Sequence, residues 1–446
     1  MFAVQLHSSG ELTTYPVSYD ANGATSGSAP SSQVKAHGVD LTLASNTGSL
    51  ARTGYTYSGW NTAADGSGDD YAEGATYSTN AAVTLYANWT ANTYPVTLDR
   101  QGGTGGSGEV TATFGAAMPA ATAPARTGYA FGGYFTETGG GGTQYYTAGM
   151  ASARTWDVAA DTTLYAKWTA NTYAVTYDGN GATSGSVPDA QTKTHGVALT
   201  LASNSGGLAR IGFVFLGWNT AADGSGTDYA EGAEYTTNAA VTLYARWAEI
   251  VTETFLSAAG YDGWVLESGP GTGVGGRVNS GSATARLGDD GADRRYRAVL
   301  SFDTSVLPDG AVITGVTLRI RRSGVVGTNP FTMPDPSQNQ GLNLLKVDIK
   351  AGFYHDNPDL ERIDFQAVGS RDNVGRFIKT PSGGWYRAPL RSPSYSLVNR
   401  TGDTQFRLHF AVDDAGAGMS ADYLSFYTGN ADPASRPQLI ITYYLP

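Results

Sequence analysis

The chain has no cysteine, so disulfides, zinc–thiolate sites and cysteine nucleophiles are excluded from the start. Five histidines in 446 residues leave few general bases for acid–base chemistry. Basic side chains are sparse too. The 28 Lys and Arg against 39 Asp and Glu give a formal charge of -11, which provides no basic footprint for nucleic acid. No apolar run reaches the roughly 18 residues that a membrane-spanning helix needs, so no membrane span is expected. The opening MFAVQLHSSGELTT lacks a basic n-region and does not read as a secretory signal. What is abundant is glycine (59) and tyrosine (27), with Thr and Val in alternating runs, the composition of a mainly β chain.

That chain is built by duplication. Tyr15–Trp89 returns as Tyr173–Trp247 with 55 of 75 positions identical, and a more divergent copy, Tyr94–Trp168, lies between them. Units of this length can hold their own cores, unlike solenoid repeats, which stand only by stacking. The copies and the change of composition after Ala248 predict an N-terminal segment (1–14), three repeat domains (15–90, 94–169 and 173–248) and a C-terminal domain (252–446).

Each repeat opens on an alternating strand such as Tyr15-Pro16-Val17-Ser18-Tyr19 and runs into an Asn-Gly turn, Asn22-Gly23 or Asn180-Gly181, which is a hairpin-like signal. It closes on Val83-Thr84-Leu85-Tyr86-Ala87-Asn88-Trp89, whose alternation assigns Val83, Leu85, Ala87 and Trp89 to the core face. Only four residues separate a closing Trp from the next opening Tyr, so hinge motion should be restricted. Asp65-Gly66-Ser67-Gly68-Asp69-Asp70 lacks the bidentate Glu of a calcium loop and reads as turn chemistry. His37 and His195 read as surface residues.

These residues resemble the Listeria-Bacteroides repeat, carried in the third copy by Arg210-Ile211-Gly212-Phe213, Gly217-Trp218, Asp223-Gly224-Ser225-Gly226 and Thr242-Leu243-Tyr244-Ala245-Arg246-Trp247. The resemblance implies small β-grasp-like domains strung in tandem on bacterial surface proteins as spacers or adhesion supports. On that basis the chain is expected to be extracellular or at the cell surface, as a piece of a longer secreted protein whose signal and anchor are not visible here. The middle copy departs from the pattern, with Tyr134 in place of the first Trp and Gly139–Gly142 in place of the Asp-Gly-Ser-Gly turn.

The C-terminal region has longer alternating strands, such as Arg297-Ala298-Val299-Leu300-Ser301-Phe302-Asp303 and Val316-Thr317-Leu318-Arg319-Ile320-Arg321, and predicts a β-sandwich. Tyr296–Asp303, Leu307-Pro308 through Leu318, and Ser435–Tyr443 resemble the DNRLRE-type domain. That likeness implies a jelly roll related to carbohydrate-binding modules and, in some relatives, binding of acidic polysaccharide.

Sugar binding needs aromatic platforms beside hydrogen-bonding and, for uronates, basic side chains. Lys379, Trp385, Tyr386 and Arg387 supply that mix in one glycine-rich stretch and are the candidate ligand residues, with Arg294, Arg295 and Arg297 adding charge. Asp289, Asp290 and Asp293 could hold a structural calcium, and no other cofactor is expected. No Gly-x-Ser-x-Gly elbow, phosphate loop or His-Glu-x-x-His occurs. Glu361 and Asp364 are the nearest thing to a glycosidase pair, and the expectation is a non-enzyme.

Two readings follow. In the first, the repeats form the stalk of an adhesin-like surface protein whose C-terminal domain binds polysaccharide or another surface partner. In the second, copies of the chain assemble into an extracellular filament through strand edges or a donated strand bearing Phe2, Val4 and Leu6.

Overall fold

In the computed structural model, which describes residues 10, 12–335, 341–342, 344–411 and 420–446, strands dominate and the helices among the described residues are short 3-10 turns. Phe2, Val4 and Leu6 lie outside the described residues. The chain forms two compact units. One runs to Val175 and includes Gln191–Leu199 and Tyr235–Ala240; the other comprises Thr176–Ala190, Thr200–Glu234 and Val241–Pro446.

In the first repeat, five strands make one sheet in the order Gln33–Ala36, Thr14–Asp20, Val83–Ala91, Tyr55–Asn61 and Asp70–Tyr71. The opening and closing strands run parallel at its centre, Val17 opposite Val83 and Asp20 opposite Tyr86, while the flanking pairs are antiparallel. This is the strand order of a β-grasp sheet, with short strands and turns in place of a crossover helix. Alternation does what the sequence implies: Leu85 and Ala87 are fully buried, and Val83 and Trp89 pack on the core from its rim. Trp60 is wholly enclosed, and its indole N–H finds the Ala44 carbonyl at 2.8 Å, as a buried indole requires. Just past the opening strand, Asn22 and Gly23 both take positive φ (45° and 77°), the conformation that selects Asn-Gly, but the strand's antiparallel partner begins only at Gln33, so this is a tight turn at the start of a longer connection and not a two-residue hairpin.

The second repeat keeps the topology and rebuilds the core. Tyr134 occupies the position of Trp60, fully buried, and Tyr145, Tyr146 and Trp156 fill the remaining space. The third repeat repeats the strand order of the first.

Successive repeats are joined by a single residue outside the strands. Val83–Ala91 and Thr93–Asp99 are separated by Asn92 alone, and Thr162–Ala170 and Thr172–Asp178 by Asn171. Each linking residue is clamped on both sides. The Asn92 N–H donates to Gly54 O and its carbonyl accepts from the Phe114 N–H, both at 2.9 Å; Asn171 does the same with Gly128 and His195. A linker whose two backbone polar groups are both used is a stiff one.

After the third repeat, Ile250 separates Val241–Glu249 from Val251–Leu256, the first strand of the C-terminal β-sandwich. Its organising element is the 15-residue strand Val312–Val326. Residues 312–319 of it pair with Gln438–Tyr444, and residues 322–326 pair with Tyr423–Tyr427, with register shifts at 313/315 and 322/324 that let one strand serve both. Inside, Phe302, Leu318, Ile320, Phe406, Leu408, Phe426, Leu439 and Ile441 form one core. Trp385–Pro389 lies along the other edge of Thr317–Arg321.

Candidate functional site

The pairing of Trp385–Pro389 with the long strand decides which side chains share a surface. Register places Arg387 opposite Arg319 and Trp385 opposite Arg321, while Gln438 pairs with Arg319 on the other side. Because residues alternate across a strand, Trp385, Arg387, Thr317, Arg319, Arg321, Gln438 and Ile440 all lie on the outer face, and Leu318, Ile320, Tyr386 and Ala388 on the inner one. Tyr386 is therefore a core residue, 1% exposed and stacked on Phe331 at 4.9 Å, and not part of a binding surface. Consecutive strand residues cannot serve one face.

Thr317, Arg319, Arg387 and Ile440 line a shallow cavity of about 270 Å3. Arg319 is its central feature. Its guanidinium lies 4.7 Å from the centre of the Trp385 ring and donates to Gln438 Oε1 at 2.9 Å, while its buried Nε has no partner. Burial and the charge of Arg387 together push the Arg319 guanidinium below its ordinary pKa. Two arginines directly across a strand pair repel, and among the described residues neither has a carboxylate partner. Arg321 borders the cavity residues and donates to Ser435 Oγ at 3.0 Å. An oxyanion arriving at this face would offset the repulsion and meet a planar donor array. Lys379 stands outside that row, half-buried, next to Ile378, whose N–H donates to the Arg387 carbonyl.

The other sequence candidates are spent on structure. Asp290 Oδ2 accepts from both Nε and Nη2 of Arg294, and Arg295 makes a two-oxygen fork with the buried Glu267. Arg297 stacks on Phe365 at 4.3 Å. Asp289 is buried and accepts from the Asp422 N–H, and Asp293 sits in a turn at φ 54°. Among the described residues, no three acidic or imidazole groups gather as a metal site would require. Asp364 accepts from the Glu361 N–H at 2.7 Å in a capping box and is pushed up to about 6 by burial.

In the repeats, Asp65 Oδ1 accepts from the Ser67 N–H and hydroxyl, and Asp223 is held by Ser225 in the same way, so both runs are turns. Lys35 and Lys193, 1% exposed, donate to Asn80 and Asn238 at 3.0 Å, an internal tether that the sequence did not announce. His37 is exposed and bonds Tyr15. His195 is not a free surface residue. Its ring packs edge-on to Tyr129 at 5.4 Å, in the joint between repeats.

Residues 15–88, 94–167 and 173–246 each match the Listeria-Bacteroides repeat domain. The chain carries three tandem Listeria-Bacteroides repeats. Two proteins of Evansella cellulosilytica are similar to the chain. One, named a putative membrane protein, is 28% identical over 365 residues, 78% of this chain and 47% of that protein. The other, named a putative Gly-rich membrane protein, is 30% identical over 248 residues, 54% of this chain and 26% of that protein. The chain thus spans half or less of the length of these relatives. Among the described residues no helix is long and apolar enough to cross a membrane.

Proposed function

We propose that this is a surface-associated, adhesin-like protein whose Listeria-Bacteroides repeats act as a stalk and whose C-terminal β-sandwich binds an acidic polysaccharide. The relatives' names support a place at the cell surface, and the doubly clamped linkers suit a stalk. One observation carries the binding reading: Arg319 and Arg387 face each other, neither with a carboxylate partner among the described residues, beside Trp385 and with Arg321 on the same outer face. Folding alone gives no reason to hold two guanidinium groups together; a uronate carboxylate does. The likeness of this region to DNRLRE-type domains points the same way. The reading is a binding protein, not an enzyme.

The test is affinity electrophoresis of the full chain in gels containing polygalacturonate or a neutral glucan. Retardation by the polyuronate alone, markedly reduced in Arg387→Gln, is expected. Equal mobility in both gels would remove the polysaccharide from the proposal.

A further inference from the structure

We infer that the third repeat carries a second oxyanion site, a pocket for a single acidic sugar unit that the first repeat, built from the same strands, does not complete. The pocket is a cavity of about 290 Å3 at the low end of small-molecule sites, whose volumes run from about 300 Å3. It is made where separate segments converge: Asn180 of the Asn-Gly turn, Arg210 of the Arg-x-Gly-aromatic stretch, Asn219 at the end of the strand Phe213–Asn219, Asp223 of the Asp-Gly-Ser-Gly loop, and Arg246 and Trp247 of the closing strand.

Each wall is fixed from behind. The Asn180 side-chain amide donates to Ala222 O and Ala245 O at 2.8 and 2.9 Å, stitching turn, loop and strand together. Trp247 Nε1 donates to Gly179 O, and the Arg210 guanidinium lies 4.0 Å from the centre of the Phe213 ring. The Asp223 carboxylate is occupied by Ser225, and one nitrogen of Arg246 reaches Asp228 Oδ2 at 3.2 Å. Arg210 has no carboxylate partner among the described residues. Asp228 balances Arg246 but leaves its remaining N–H groups unused by that pair, so two guanidinium groups, one of them without a carboxylate partner among the described residues, line a polar cup next to an indole. That chemistry suits a carboxylate on a pyranose ring.

Repeat 1 supplies a built-in control. Arg52, Asn22, Asn61, Asp65 and Trp89 stand at the matching positions, but Asn88 replaces Arg246 and its amide is spent on Asp70 Oδ1 at 2.8 Å. The second cation is absent there.

The experiment is an NMR titration of the full chain with glucuronate, glucose and sodium sulfate at constant ionic strength, read at the indole N–H signals of Trp247 and Trp89. Glucuronate is expected to shift Trp247 saturably and Trp89 little, with glucose inert, sulfate at least tenfold weaker, and Arg246→Asn weakening glucuronate at least tenfold. The residue introduced is the one repeat 1 already folds with. Parallel shifts at Trp89 and Trp247, sulfate matching glucuronate, or an Arg246→Asn chain that responds like the parent would each overturn the site. Arg387→Gln should leave the Trp247 response intact, so the result stands apart from that for the C-terminal face.

Discussion

The ring of Phe114 occupies the space that a side chain on Gly54 would need: a Cβ there would lie 2.3 Å from Phe114 Cγ, at a backbone φ of 81°. His195 stands in the same relation to Gly128, 2.0 Å from its would-be Cβ. A glycine of one repeat is thus a socket for a ring of the next. Gly128→Ala combines left-handed strain with a clash and should cost about 1–3 kcal/mol. Thermal unfolding checks it, and a double-mutant cycle with His195→Ala should recover part of the loss, because the smaller side chain vacates the socket.

The buried tryptophan gives a second test. Trp60→Ala should destabilise the first repeat by about 3–5 kcal/mol, since it empties a fully buried indole site and leaves the Ala44 carbonyl without its donor. The natural Tyr at the matching position of the second repeat does not make Trp60→Tyr benign. Tyr134 sits in a core rebuilt around Trp156. Chemical denaturation followed by near-UV circular dichroism would report both substitutions.

In the C-terminal domain, two carboxylates set opposite limbs of a pH profile. Burial pushes Asp262 up to about 7, against the Ser301 and Gly429 amides that donate to it. For Asp348, burial acts upward but is outweighed by His409, the Asn373 amide and Arg407, which hold it far below the usual carboxylate range. A raised folded pKa gives stability that is present below the unfolded value of about 4 and lost as pH rises towards 7; a depressed one gives stability present above about 4 and lost as pH falls. Calorimetry of the full chain should therefore find this domain most stable in weak acid. Asp262→Asn should lower stability overall, because one amide loses its acceptor, and should flatten the decline between pH 5 and 7.

Arg387→Gln separates stability from binding. Removing one of two opposed guanidinium groups should raise stability by up to about 1 kcal/mol while weakening any polyuronate interaction, a sign pattern that a purely structural arginine would not give.

The strand alternation that buries Leu85, Ala87 and Leu318 was legible in the sequence, because period two is local. So was the duplication, which also gave the sheet order of the third repeat once the first was known. Alternation also held a warning about Trp385-Tyr386-Arg387, since neighbours in a strand point to opposite faces. The roles of Arg319 and His195 were not legible. Arg319 meets Arg387 only through the register of two distant strands, and His195 enters its socket beside Gly128 through the backbone bonds that Asn171 makes to both residues.

The most direct test of the central claim is to titrate the full chain with oligogalacturonate and follow the Trp385 indole signal by NMR. A saturable shift at Trp385 that disappears in the Arg319→Gln, Arg387→Gln double variant, with the fold retained, is the predicted result. A Trp385 signal that does not move, or one that moves equally in the double variant, would contradict the assignment of this face as the polysaccharide site.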